Sequence, residues 1–114
     1  MSYKIYHNPR CSKSRQTLQI LRDNGIEPSI IEYLKESPTT KELSEVLSFL
    51  NMKAEDIIRK GEAIYKENFK GKEFSNEEWI QILSDHPKLI ERPIVIKNKK
   101  AVLGRPPENV LNLI

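Results

Sequence analysis

The chain has 114 residues, 38% hydrophobic and 31% charged, with a formal net charge of +3. That length suits one domain built on one core, and no apolar run approaches the roughly 20 residues of a membrane-spanning helix. The positive excess is small and its lysines are scattered, which disfavours a nucleic-acid partner and slightly favours a small anion met by a few placed cations.

The opening residues lead straight into a strand pattern, Tyr3 to Tyr6, without the charged start, apolar middle and cleavage site of a secretory signal, so a cytoplasmic location and no membrane are expected. A loop from His7 to Cys11 follows. It feeds a helix with Leu18 and Leu21 on one face, ending near Gly25. Ser29 to Tyr33 reads as a second strand. Strand, helix and strand within about 30 residues predict a right-handed βαβ unit with parallel strands, and put Cys11 at the carboxyl end of the first.

From Thr39 the periodicity becomes helical. Thr39 with Glu42 forms a capping box before Leu43, Val46, Leu47 and Leu50, and Ser75 with Glu78 forms another before Trp79, Ile82 and Leu83. Ala54 to Arg59 and Ala63 to Phe69 read as short helices between them, and His86-Pro87 as a helix-end turn. Ile94 to Lys97 and Ala101 to Leu103 flank a turn at Asn98 to Lys100 and predict a hairpin, followed by a helix over Pro107 to Leu113. The expected architecture is α/β, a thioredoxin- or glutaredoxin-like mixed sheet of four strands. It is a single domain over residues 1–114, with βαβ and ββα halves separated in the chain by a helical insert at about 39–90.

Cys11 is the only cysteine, which excludes an internal disulfide and leaves two readings, a buried apolar filler or a reactive thiol. Its neighbours decide between them. The run His7-Asn8-Pro9-Arg10-Cys11-Ser12-Lys13-Ser14-Arg15 supplies cations and hydroxyls but almost no apolar bulk. The helix start supplies unpaired N–H groups that favour a thiolate and can seat an oxyanion. Ser14 stands where a Cys-x-x-Cys pair would have its second thiol, so an external thiol must complete any redox cycle.

Two Arg-Pro pairs, Arg92-Pro93 and Arg105-Pro106, flank the predicted hairpin, whose geometry should bring Arg92 and Arg105 together. Taken singly, each arginine is better explained as a solvated surface charge, since exposed arginine is common. As a pair they suit a tetrahedral oxyanion, because guanidinium stays charged and donates paired hydrogen bonds. Pro93 opens a strand, where its missing N–H costs no ladder bond; a cis bond there is uncommon on base rates. His7 can either tune the thiol or make a structural hydrogen bond in its loop. His7 and His86 are far apart and carry no ligand spacing, so no metal site is expected.

Together these segments resemble the ArsC family of glutaredoxin-coupled arsenate reductases, especially its short, YfgD-type members. The likeness covers essentially the whole chain. It rests on Ile5 to Arg15, on Ile58-Arg59-Lys60, on Glu91-Arg92-Pro93-Ile94-Val95 and on Gly104-Arg105-Pro106-Pro107. The resemblance implies a thioredoxin-type sheet, Cys11 as nucleophile, Arg59, Arg92 and Arg105 as substrate-binding groups, and a cis bond at Pro93. His7, Ser14 and Arg15 support the site. It implies arsenate as substrate, glutathione as co-substrate, glutaredoxin as partner, and no bound cofactor. Two other functions fit the same residues: glutathione-linked thiol chemistry on another substrate, and an Spx-like regulator that binds RNA polymerase. Ser14 removes the dithiol switch that such regulators commonly use.

Overall fold

Hydrogen-bonded pairing between distant segments joins the two ends of the chain. The structure, a computed structural model, describes residues 2–114; Met1 lies outside the described residues. Contacts divide the chain into two units, one of residues 2–36 with 92–114, the other Ser37–Glu91.

In the first unit β1 (Tyr3–Tyr6) pairs in parallel with β2 (Ser29–Ile31), and α1 (Ser12–Asp23) forms the crossover. β1 also pairs antiparallel with β3 (Ile94–Lys97), which pairs antiparallel with β4 (Lys100–Leu103). The sheet order is β2-β1-β3-β4, the mixed thioredoxin-like arrangement. β2 ends two residues earlier than expected because the chain turns at Glu32, whose carbonyl accepts from the N–H groups of Lys35 and Glu36, both at 2.9 Å. The hairpin turn is tighter than expected. Lys97 pairs with Lys100, leaving Asn98 and Lys99 as a two-residue loop, and Asn98 takes the left-handed φ of 55° that such a turn demands.

One core holds this unit together. Tyr3, Ile5, Leu18, Leu21, Val95, Val110 and Leu113 pack as a buried cluster that joins sheet, α1 and the terminal helix. That last segment, Pro107–Leu113, is a 3-10 helix. Its end is anchored where the Leu113 carbonyl accepts from Lys97 Nζ at 3.0 Å and from the Tyr3 hydroxyl at 3.3 Å.

The second unit carries α2 (Thr40–Leu50), a 3-10 turn at Ala54–Ile57, α3 (Ala63–Asn68), α4 (Asn76–Asp85) and a 3-10 turn at Pro87–Leu89. Both capping boxes form as the sequence predicts: Thr39 and Ser75 each accept from the N–H three residues on, at 3.1 Å. Leu43, Val46, Leu47 and Leu50 are buried on α2. On α4 the buried residues are Trp79, Ile80 and Leu83, so Ile80 takes the place expected of Ile82, which is only half-buried. The ring of Trp79 collects Tyr65, Phe69 and Phe74 around it, with the Phe74 centroid at 4.8 Å.

Candidate active site at the start of the first helix

The peptide between β1 and α1 is held from both sides. His7 N–H donates to the Ile31 carbonyl at 2.9 Å, carrying the β1–β2 pairing one step further. Asn8 then closes a tight turn: its side-chain oxygen accepts from Arg10 N–H and its carbonyl from Cys11 N–H, both at 3.0 Å. Cys11 emerges as the N-cap of α1 with extended backbone, φ −93° and ψ 123°, and its carbonyl accepts the first helical bond from Arg15 N–H. Its side chain is partly exposed.

Opposing effects set the thiol's acidity. Partial burial pushes the Cys11 pKa up, but the Ser14 N–H, the Arg92 guanidinium as donor and as charge, and the Lys13 N–H together outweigh it and leave the thiol below its ordinary value. The first turn of α1 holds no acid, whereas those of α2 and α4 begin with Glu42, and with Glu77 and Glu78. Cations in a first turn oppose the helix dipole by about 0.3–1 kcal/mol each, an arrangement that an anion at the helix start reverses.

Of the supporting residues, Ser14 is the hub. Fully buried, its hydroxyl accepts from Asn8 N–H at 3.0 Å and shares a 2.5 Å hydrogen bond with His7 Nδ1. His7 is itself buried, and its pKa is lowered by that burial, with Arg22 and Arg15 lowering it further against the opposing pull of Glu32. It makes the structural hydrogen bond within the loop that the sequence allowed. Arg15 is exposed and donates to the Pro9 carbonyl at 3.4 Å.

The hairpin brings the two Arg-Pro pairs together as expected. Beyond the last ladder pair, Ile94 with Leu103, Gly104 N–H donates to the Pro93 carbonyl at 2.9 Å, and Arg105 Nη1 donates to the Arg92 carbonyl at 3.3 Å. The Arg92-Pro93 bond is cis, as the resemblance implies. Arg105-Pro106 is cis as well, which no sequence signal announced. Arg92 Nε is buried with no hydrogen-bond partner, while the same guanidinium lies within hydrogen-bonding reach of the Cys11 sulfur.

Arg59 belongs to the second unit, and its setting differs from the expected short helix. The 3-10 turn stops at Ile57 because the next residues pair sideways: Ile58 bridges Ile90, Arg59 N–H donates to the Leu89 carbonyl at 2.7 Å, and Glu91 N–H to the Ile57 carbonyl at 2.8 Å. Arg59 is thus extended. Its guanidinium meets Glu62 at 3.0 Å and Glu91 at 3.4 Å, two carboxylates that sequence reasoning did not connect with it.

Two more residues escaped the sequence reading. Thr17 is fully buried on α1 beside Leu18 and Leu21, and Gly104 packs directly against it. A polar residue directly beside Leu18 and one turn from Leu21 on the same face was the available signal for Thr17.

The arrangement of a thiol at a helix start facing an arginine on a cis-proline loop can be compared with known proteins. The model of the ArsC family matches residues 6–113. The chain is 49% identical to the protein YfgD of Escherichia coli K12, over 97% of this chain and 95% of that one. It is 42% identical to an arsenate reductase of Haemophilus influenzae, over 100% of both. Among solved structures, an arsenate reductase from Vibrio cholerae superposes with a TM-score of 0.95 at 45% identity, covering 100% of this chain and 98% of the other. With the family model matched over nearly the whole chain and these relatives aligned along its full length, the chain belongs to the ArsC family.

Proposed function

We propose that the protein is an arsenate reductase that works through a single thiol and takes its electrons from glutathione and glutaredoxin. The observation that carries this reading is the Arg92 guanidinium set against the sulfur of a cysteine whose pKa is lowered at a helix start. Relatives bearing the name arsenate reductase supply the substrate.

The Cys11 thiolate attacks pentavalent arsenic, an S–As bond forms, and the bond to one arsenate hydroxyl group breaks, so that hydroxide leaves. Arg92 and Arg105 stabilise negative oxygen while this happens, and they suit the task better than lysine because each donates a planar fork. The resemblance adds Arg59 as a third oxyanion ligand. Glutathione then displaces a second oxygen, so arsenic carries both sulfurs. The thiol of glutaredoxin attacks the glutathione sulfur; the As–S bond to glutathione breaks with its electron pair left on arsenic. Arsenic is now trivalent, and the two external thiols have become one mixed disulfide. Water cleaves the remaining S–As bond, releasing arsenite and the thiolate. Ser14 leaves the chain with no second thiol, which is why both external thiols enter the scheme. A reducing cytoplasm is the compartment that suits such a site.

The test is arsenite production by purified protein with arsenate, glutathione and glutaredoxin, alongside Cys11→Ser. The expected result is turnover by the wild type and none by the variant; equal turnover by both, or none by either, ends the proposal.

A further inference from the structure

A helix interior is an uncommon place for a fully buried hydroxyl, because threonine loses side-chain freedom there and its oxygen needs a partner. Thr17 sits in such a place, with no exposure, on the stripe of α1 that also buries Ser14, Leu18 and Leu21. Its hydroxyl donates to the Lys13 carbonyl one turn back at 2.8 Å, with the Gly104 carbonyl at 3.5 Å as a weaker second acceptor. Lys13 contributes one of the N–H groups that face the Cys11 sulfur.

The other side of Thr17 meets the arginine-bearing peptides. A Cβ built on Gly104 would lie 2.6 Å from Thr17 Oγ1, 3.0 Å from Thr17 Cγ2 and 2.7 Å from Pro93 Cγ. The strand exit is therefore seated directly on the threonine, with room for glycine only. Gly104 in turn donates to the Pro93 carbonyl, and these two residues are the immediate neighbours of Arg105 and Arg92. Helix α1 and both Arg-Pro segments thus meet at one buried junction of three residues.

We propose that Thr17 is a positioning residue: through Gly104 and Pro93 it fixes the separation between the Cys11 helix and the peptide that carries Arg92, and so holds the guanidinium against the sulfur. Both branches of the side chain take part. The hydroxyl ties the contact to the first turn of α1, and a methyl in its place is larger than oxygen and pushes Gly104 outward. A charge-assisted hydrogen bond to sulfur is sensitive to such a displacement. The inference rests on the reading of Cys11 as the nucleophile, but its test needs no arsenate.

The experiment is the pH dependence of Cys11 alkylation by iodoacetamide in Thr17→Val, Thr17→Ser and Arg92→Gln and in the double variant Thr17→Val with Arg92→Gln. Thermal unfolding accompanies each. The expected result is an alkylation rate near pH 6 reduced by about threefold or more in Thr17→Val, equivalent to a rise of about half a pKa unit. Thr17→Ser, which keeps the hydroxyl, stays within about twofold of wild type on the same scale. In the Arg92→Gln background Thr17→Val adds nothing, because the group it positions has gone. Should Thr17→Val fail to fold, Thr17→Ala enters the same cycle. Wild-type ionisation in the folded Thr17 variant, or effects of Thr17 and Arg92 that simply multiply, overturns the proposal and makes Thr17 a core residue only. Arsenate turnover, measured separately, reports on the functional reading and leaves this result untouched.

Discussion

Arg105 donates through Nη1 to the main-chain carbonyl of Arg92 at 3.3 Å, so one arginine braces the peptide that carries the other. Arg92 Nε is buried without a partner, and its guanidinium faces the Cys11 sulfur. The two residues therefore have unequal duties. Arg92 lowers the pKa of the thiol; Arg105, more exposed, braces the peptide that carries Arg92.

Replacing either arginine by lysine keeps the charge and removes the fork. For Arg92→Lys the expected loss in arsenate kcat/KM is roughly tenfold or more, the size of one charge-assisted hydrogen bond. Arg105→Lys is expected to lose less. Steady-state kinetics beside unfolding midpoints check this, and wild-type kinetics in a folded Arg92→Lys protein contradict it.

Arg59→Lys separates the third guanidinium from the other two. Its bonds to Glu62 and Glu91 stabilise the second unit, so some loss of stability is expected whatever its function. If it also binds the oxyanion, KM for arsenate rises by roughly tenfold. A variant of lower unfolding midpoint with unchanged KM assigns Arg59 a structural duty alone.

The lowered Cys11 pKa makes stability depend on pH in a defined sense. The folded protein releases the thiol proton before the unfolded chain does, so between the two pKa values the unfolded state binds more protons and stability rises with pH. That contribution is complete above the ordinary thiol value and is lost as pH falls through the lowered one. Relative to Cys11→Ser, the wild type is expected to gain unfolding temperature as pH rises through this window. A difference that stays flat with pH shows that the folded site does not favour the thiolate.

His7 behaves in the same sense at lower pH. Burial lowers its pKa beneath 6.5, so the neutral ring is favoured in the fold, and stability present above 6.5 is lost as pH falls through the lowered value. His7→Asn keeps a polar group near the Nδ1 position for Ser14 but cannot titrate. The variant is expected to lose less stability than wild type between neutral and mildly acid pH, as read by denaturant midpoints; parallel pH profiles would falsify this.

Gly104→Ala places a methyl group where Thr17 Oγ1 and Pro93 Cγ already stand at 2.6 and 2.7 Å. The expected cost is about 1–3 kcal/mol from overpacking, seen as an unfolding temperature lower by several degrees. No loss of stability means that the junction is looser than the contact distances indicate.

Local chemistry made much of this protein legible from residue order. Thr39 with Glu42 and Ser75 with Glu78 announce helix starts because a capping box closes within four residues, and the βαβ unit follows from spacing alone. Cys11 reads as reactive because its neighbours are polar and its position opens a helix, both properties of a dozen adjacent residues. Side-chain orientation was less accessible. The burial of Ile80 in place of Ile82 and the gathering of Tyr65, Phe69 and Phe74 around Trp79 are set by packing between segments, not by helical spacing. The extended setting of Arg59 depends on a bridge to Ile90, more than thirty residues away.

By itself, then, the sequence determined the order of the elements, the helix starts, and the pairing of a lone thiol with flanking cations, since each is governed by interactions within one turn or one hairpin. Tertiary structure alone decided which arginine reaches the sulfur, that the Arg105-Pro106 bond is cis, and that Gly104 rests on Thr17, 87 residues away. Such contacts depend on how closely two backbones approach once the core of Ile5, Leu18, Leu21 and Val95 has formed, and that distance is a property of the packed interior.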